Sequence, residues 1–299
     1  MRITLLLLAV SFASAAGLAA QPSFDPVSME RAPDKAFPAK IEELTFRSGG
    51  DRLTGLIYIA NGPGPHPTVV LLHGFPGNEK NLDIAQVLRR AGFNVMFFHY
   101  RGAWGSEGNY SVLNVDDDAL AALNFLRAPE NAANYRVDTN KLSLLGHSLG
   151  GYVSLAAGSQ DKGVVCVGAM SPANLGLWAA GIQTNDPALQ RVVSYADTLF
   201  MLRNFNGTVM REQLKTVAAA ELDTTRFGPG LQGKSVFLIV GEQDTVTSPQ
   251  QMFTPVVIAY AQDEKIKLQH HIIPGDHSFS WSRLQLTRRV LGWLEQDGR

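Results

Sequence analysis

A single cysteine, Cys166, stands in this chain of 299 residues, so no disulfide can close within it. Cys166 lies in the apolar run Val164-Val165-Cys166-Val167 and reads as a small hydrophobe on a buried strand, not as a reactive thiol. Net charge is equally scarce: 26 Lys and Arg against 27 Asp and Glu leave −1. That removes the electrostatic footprint of nucleic-acid binding, and no basic run marks a site for an anionic membrane surface. Long apolar runs are missing too. The one at residues 3–10 is far shorter than the about 20 residues of a bilayer span. Internal repeats and low-complexity tracts are absent. What is present, 45% hydrophobic and 18% charged residues, suffices for one substantial α/β domain.

Residues 1–20 have the layout of an export signal. Met1-Arg2 gives a positive start and residues 3–10 an apolar core. Ala13-Ser14-Ala15 and Gly17-Leu18-Ala19 are small-residue cleavage candidates. The expectation is an exported protein, periplasmic or secreted, with no stable membrane span once the signal is cleaved. Residues 21–40 are rich in Pro, Ser and Ala without a period, which suits a linker or an arm lying on the surface.

From residue 41 onward the pattern alternates. Residues 41–47 and 53–59 read as strands joined at Gly49-Gly50-Asp51, a hairpin signal. Residues 61–67 form a Gly/Pro-rich loop that includes His66. Residues 68–72 are a continuous apolar run, as expected of a strand buried on both faces. A helix over 82–90 stops at Gly92, and a strand at 95–100 follows. Asp116-Asp117-Asp118 opens a helix at the end where acidic residues favour its dipole. Further strands fall at 141–145, 163–170, 236–240 and 268–273. Ser248-Pro249 suits a helix start. The last helix carries Leu286, Val290, Trp293 and Leu294 on one face. Strands alternating with helices argue for one mostly parallel sheet covered on both faces. Residues 174–233 break the alternation: they are helix-like, of mixed polarity, and carry Trp178, Phe200, Met201 and Phe205. They stand where a lid over the C-terminal sheet edge would be inserted into a domain spanning 41–299.

The chemistry centres on Gly146-His147-Ser148-Leu149-Gly150. Gly-x-Ser-x-Gly alone is a weak signal. An apolar strand before it and a small-residue helix after it make it specific: a sharp turn lifts the hydroxyl above the sheet edge, and only glycine fits two positions either side. The amide of Leu149 then begins a helix and faces a developing oxyanion. A serine hydroxyl needs a base. Of the seven histidines, His277 lies in a loop just past the final strand and can reach back over the sheet edge. His270 and His271 lie within a strand, His73 and His99 end strands, and His147 points away at the turn. The base needs an orienting carboxylate. Asp244, after the strand at 236–240, is the choice. Glu242 is the alternative, and Asp276 reads as a loop-shaping group. The second oxyanion donor falls to the amide of Phe75, in the loop after 68–72, where Gly74 and Gly77 permit close approach.

Five segments together carry a resemblance: His73-Gly74-Phe75-Pro76-Gly77, Tyr100-Arg101-Gly102-Ala103-Trp104-Gly105-Ser106-Glu107-Gly108, Gly146-His147-Ser148-Leu149-Gly150-Gly151, Gly241-Glu242-Gln243-Asp244 and Gly275-Asp276-His277-Ser278-Phe279. In this order they resemble the α/β-hydrolase superfamily. The resemblance implies an eight-stranded, mostly parallel sheet with helices on both faces, a Ser148–His277–Asp244 triad and no cofactor or metal. Superfamily members with an Asp at the elbow do not fit, because Ser148 is there. Within the superfamily the chain is similar to acyl and feruloyl esterases. Through Val137-Asp138 it is also similar to the catalytic domain of prolyl-oligopeptidase-like serine peptidases, although there is no room for a β-propeller. The expected function is hydrolysis of carboxylic esters through an acyl-enzyme. The alternative is a peptidase on short peptides, for which Asp186, Asp197 and Glu212 could serve as amine-binding carboxylates. Either way the partner is a small-molecule ester or short peptide. A non-catalytic binding module would be expected to lose one of the three residues. Nothing in the sequence points to an oligomeric state.

Overall fold

The computed structural model describes residues 24–299; the signal-like residues 1–20 lie outside them. In chain order the strands are β1 (Lys40–Ser48), β2 (Asp51–Ile59), β3 (His66–Leu72), β4 (Asn94–Phe98), β5 (Val137–His147), β6 (Val164–Met170), β7 (Ser235–Gly241) and β8 (Lys267–Ile273). The helices are α1 (Leu82–Ala91), α2 (Val115–Arg127), α3 (Pro129–Asn134), α4 (Leu149–Gln160), α5 (Leu175–Thr184), α6 (Pro187–Ala196), α7 (Gly207–Lys215), α8 (Gly228–Leu231), α9 (Thr254–Ala261) and α10 (Arg283–Asp297).

One eight-stranded sheet runs in the order β1-β2-β4-β3-β5-β6-β7-β8. Strand β2 pairs antiparallel with β1 and β4, and every other pairing is parallel. The β1–β2 hairpin closes at Gly49-Gly50, with Ser48 opposite Asp51. The apolar runs are explained by two cores. Along β3, Val69 and Leu71 pack into one core while Val70 and Leu72 pack into the other; along β4, Val95 and Phe97 oppose Met96 and Phe98. Helices α1 and α10 cover the first face, with Leu88, Val290 and Trp293. Helices α2 and α4 cover the second, with Leu123, Leu126 and Val153.

Some local readings change. His66 is not in the loop: it begins β3, is buried, and its Nε2 lies 3.1 Å from the Gly62 carbonyl. Ser248 does not cap a helix with its side chain. Its hydroxyl donates to Gln250 Oε1 instead, and one π-helical turn (Pro249–Phe253) precedes α9. Of the acidic trio opening α2, Asp118 turns inward. It is fully buried and accepts from Arg101 Nε at 2.6 Å and Arg101 N at 2.8 Å, so it anchors the loop after β4 in addition to facing the dipole. Residues after 23 cross the face formed by α1 and α10: Asp25 pairs with Arg288 at 2.9 Å, and Glu30 with Arg89 and Arg90. Cys166 is fully buried on β6, and burial pushes its thiol up to about 12.

This strand order places a switch point between β3 and β5, since the chain leaves β3 for β4 on one side and returns to β5 on the other. The crevice beyond the carboxyl ends of those strands is where such sheets hold ligands. His73-Gly74 follows β3 there and Ser148 follows β5, with Leu72 opposite Gly146 in the register.

Candidate active site

Ser148 turns between β5 and α4 with φ +58° and ψ −119°. A side-chain-bearing residue in that region carries on the order of 1–3 kcal/mol of strain, so the surroundings must impose it. They do: Ser148 N–H donates to Met170 O at 2.9 Å, and Ser148 O accepts from the amides of Gly151, Tyr152 and Ala173 at 2.9, 3.2 and 3.0 Å. The flanking glycines are obligatory for a plain reason. A Cβ on Gly146 would stand 1.8 Å from Gly150 O, and one on Gly150 would stand 2.1 Å from Leu72 O. Gly74 lies against the serine, where a Cβ would come within 2.9 Å of Ser148 Cβ.

His277 and Asp244 meet across the loops after β8 and β7. His277 Nδ1 lies 2.8 Å from Asp244 Oδ2, with the Asp244 side chain fully buried and that of His277 18% exposed. A carboxylate only accepts, so Nδ1 carries the proton and Nε2 is left as the basic nitrogen. Asp244 is held at both oxygens. Oδ1 accepts from the amides of Val246 and Thr247 at 2.8 and 2.9 Å, and Oδ2 accepts from Thr247 Oγ1 at 2.8 Å. Burial pushes the pKa of this carboxyl up, but the His277 hydrogen bond and charge and the two Thr247 donors outweigh it, leaving the pKa at about 2. The two loops are stitched together: Gln243 N–H donates to Gly275 O at 2.9 Å, and Gly275 N–H to Gln243 Oε1 at 2.8 Å. Glu242 stays exposed and its Oε2 accepts from Gln243 Nε2. Asp276 accepts from the amides of Ser278 and Ser280 and from the Ser280 hydroxyl, shaping the loop.

Ser148 stands beside this pair because the residue before it does. The His147 and His277 ring centroids are 4.7 Å apart. Among the described residues no hydrogen bond joins Ser148 Oγ to His277; bonds of this kind are commonly long in unliganded enzymes and tighten with substrate. Leu149 N–H is the first amide of α4 and has no acceptor one turn earlier in its helix. Phe75 N–H follows Gly74 on the opposite wall. That wall is buttressed: Trp104 Nε1 donates to Pro76 O at 2.7 Å. His73 Nδ1 donates to Gly74 O at 2.8 Å, which leaves His73 Nε2 to accept from His99 Nδ1 at 3.3 Å. Burial holds both rings neutral, at about 4 and about 3.

Residues 174–233 stand over the same edge. Asn174 caps α5 through its side chain, and Asn206 caps α7. The Phe75 ring lies 6.3 Å from Trp178, 6.3 Å from Tyr195, 5.9 Å from Phe205 and 6.0 Å from Tyr110. Backbone bonds tie the segment to the loop after β4: Arg203 N–H to Gly102 O at 2.7 Å, Trp104 N–H to Met201 O at 3.1 Å, and Tyr110 N–H to Arg203 O at 3.1 Å. Asp197 accepts from Gly207 N–H and Glu212 pairs with Lys215, so both carboxylates serve the segment itself. Thr247 escaped the sequence reading, and His147, read there as pointing away, lies against the His277 ring instead. The spacing Asp-x-x-Thr from 244 to 247 is an Asx-type turn signal that could have found Thr247. Among the described residues no cluster of three or more His, Cys, Asp or Glu is arranged to hold a metal ion, and no helix is long and apolar enough to cross a membrane.

Residues 69–288 match the sequence profile of the alpha/beta hydrolase family; the chain belongs to that family. The esterase EstD of Thermotoga maritima is 26% identical over 244 residues, covering 76% of this chain and 53% of the esterase. The chain thus spans about half the length of that relative. The esterase Pf2001 of Pyrococcus furiosus superposes with a TM-score of 0.63 at 17% identity, over 88% of this chain and 94% of its own. An acylaminoacyl peptidase of Pyrococcus horikoshii does so with 0.62 at 14% identity, over 86% of this chain but 41% of its own. At these identities both solved structures speak to the fold.

Proposed function

We propose that the protein is an exported serine hydrolase of carboxylic esters that works through an acyl-enzyme on Ser148. The observation that carries the reading is the 2.8 Å His277–Asp244 pair standing beside a strained serine turn at the sheet switch point. Similarity to EstD supports the ester class, and the signal-like residues 1–20 support export.

Ser148 Oγ attacks the ester carbonyl carbon while its proton passes to His277 Nε2. The tetrahedral oxyanion accepts from the amides of Phe75 and Leu149, each such donor contributing about 3 kcal/mol. Collapse breaks the bond to the alcohol oxygen, which takes the proton from His277 and leaves. Water then attacks the acyl carbon, gives a proton to His277, and the carboxylic acid departs as Ser148 recovers its own. Asp244 fixes the imidazole tautomer and stabilises the imidazolium. Residues 174–233 cover the acyl side, where rings around Phe75 suit an apolar or aromatic acyl group.

The test is turnover of short-chain nitrophenyl esters by wild type and Ser148→Ala, with fluorophosphonate labelling of both. Loss of at least ~10⁴-fold in turnover, with loss of labelling, is expected. Equal rates would end the proposal. Turnover of aminoacyl-naphthylamides above that of esters would transfer the same machinery to peptides.

A further inference from the structure

His147 is the residue next to the elbow serine, and it is only 3% exposed. Its Nε2 lies 2.7 Å from the backbone carbonyl of His277, 130 residues away in sequence. A carbonyl only accepts, so Nε2 carries the proton. The other nitrogen, Nδ1, is buried with no hydrogen-bond partner among the described residues. Protonating it would bury an unpaired charged N–H, which desolvation strongly opposes. The ring is therefore a neutral donor of fixed tautomer. The ionisable groups facing it are His277 and Asp244 from their loops and Arg283 from α10; the Phe279 ring also lies close, at 6.5 Å.

His277 sits on a loop, and the bond to Asp244 holds only one edge of its ring. Such a ring can swing with its loop. Two side-chain donors grip the carbonyls of His277 and of the residue after it. Arg283 Nη1 reaches the carbonyl of Ser278 at 3.2 Å, while its Nε binds Asp83 on α1 at 3.0 Å. His147 grips the His277 carbonyl itself. The tether runs from the residue before the nucleophile to the residue that serves it as base.

We propose that His147 is a positioning residue: its neutral Nε2–H fixes the His277 main chain, so that one turn of backbone sets both the serine and the imidazole that must reach it. This rests on the serine-hydrolase reading above. Its function is geometric, since misplacement of a reacting group by about 1 Å costs on the order of 10²-fold in rate.

The experiment compares wild type with His147→Phe, which keeps a ring but no donor, and His147→Gln, whose amide can still reach the carbonyl. Rates are taken per labelled active site on a short-chain nitrophenyl ester. We expect kcat to fall ~10- to 100-fold in His147→Phe with KM within about twofold, and His147→Gln to recover most of the loss. The far-downfield proton signal of His277 Nδ1–H, read without substrate, should persist in His147→Gln and broaden or shift in His147→Phe. A purely space-filling residue would change thermal stability alike in both variants and leave kcat and this signal intact; that result overturns the proposal. Should His147→Phe fail to fold, His147→Asn takes its place, because its shorter amide falls short of the carbonyl; wild-type kcat in a folded His147→Asn is equally fatal. If Ser148→Ala turns over like wild type, the serine-hydrolase reading itself fails and takes this inference with it. If Ser148→Ala is dead and His147→Phe is fully active, only the inference does.

Discussion

The loops at the carboxyl edge of the sheet and the segment at 174–233 that covers them are held by different forces. In the loops, position is set by hydrogen bonds between buried groups and by backbone contacts that exclude even a methyl. Asp244 alone accepts from two amides, a hydroxyl and an imidazole. In the covering segment, position is set by apolar side chains and rings in contact and by a few backbone bonds to the loop after β4, while some of its large apolar side chains face outward. Phe200 is 92% exposed and Tyr195 44%. Directional bonds fix atoms to fractions of an ångström, as bond-making chemistry requires. Ring packing tolerates substitution and reshaping. Changes in the loops should therefore act on rate and on folding, and changes in the cover on the choice of substrate.

The largest break in that contrast is expected from Asp244→Asn. The amide cannot stabilise the imidazolium and favours the wrong tautomer, so kcat should fall ~10⁴-fold on any ester. The same carboxylate makes stability depend on pH. Its folded pKa of about 2 lies below the ordinary 3.8. Its contribution, about 2 kcal/mol by linkage, is therefore fully present above pH ~4 and is lost as the pH falls towards 2. Urea unfolding at pH 7 and pH 3 should show this decline in wild type and a smaller one in Asp244→Asn. Identical declines would mean that Asp244 is not the carboxylate that matters.

Next come two glycine-to-alanine changes of the same chemistry. A Cβ on Gly150 meets backbone, Leu72 O at 2.1 Å and His73 O at 2.7 Å, so the elbow and β3 must separate. The expected loss is about 3 kcal/mol or more, together with fluorophosphonate labelling. A Cβ on Gly181 in α5 meets Leu189 Cδ2 at 3.2 Å and Asp186 Cβ at 3.3 Å, and alanine favours a helix interior over glycine by about 1 kcal/mol. Gly181→Ala should stay within about 1 kcal/mol of wild type. Equal losses in the two variants, measured by chemical denaturation, would erase the distinction between the regions.

The same distinction governs what the sequence discloses. The sheet was legible because its signals are local: continuous apolar runs at 68–72 and 236–240 and the Gly-x-Ser-x-Gly turn need no knowledge of distant residues. Asp244 and His277 were legible as loop residues just beyond strands, since a parallel sheet collects such loops at one edge. The grip of His147 on His277 was not. It depends on β8 and β5 being brought to the same edge by a strand order that periodicity does not encode, and His147 was expected to point away. Asp118 shows the same thing on a smaller scale: its place in an acidic trio suggests a residue facing the helix dipole, and its burial against Arg101 appears only once β4 and α2 are packed. The rings of 174–233 were visible as composition, but which of them surround Phe75 follows from packing alone.

The smallest effect should come from Trp178→Ala, and it is the most informative about the cover. Trp178 lies on α5, partly buried, with its ring 6.3 Å from that of Phe75. Phe75 also supplies the proposed oxyanion amide, so its ring and its N–H belong to different regions of the molecule while sharing one residue. If packing against Phe75 shapes only the acyl side, removing the indole opens space without moving the amide. Turnover of a nitrophenyl acetate should then stay within about twofold of wild type, while kcat/KM for a bulkier or aromatic acyl group changes by about 10-fold, the scale of one or two methylene contacts in an apolar pocket. If instead kcat on the acetate collapses, the indole is holding the oxyanion wall, and the cover takes part in the rate. His73 and Trp104 already brace that wall through bonds to Gly74 O and Pro76 O, and His99 backs His73 at His73 Nε2, which is why the first outcome is the one expected.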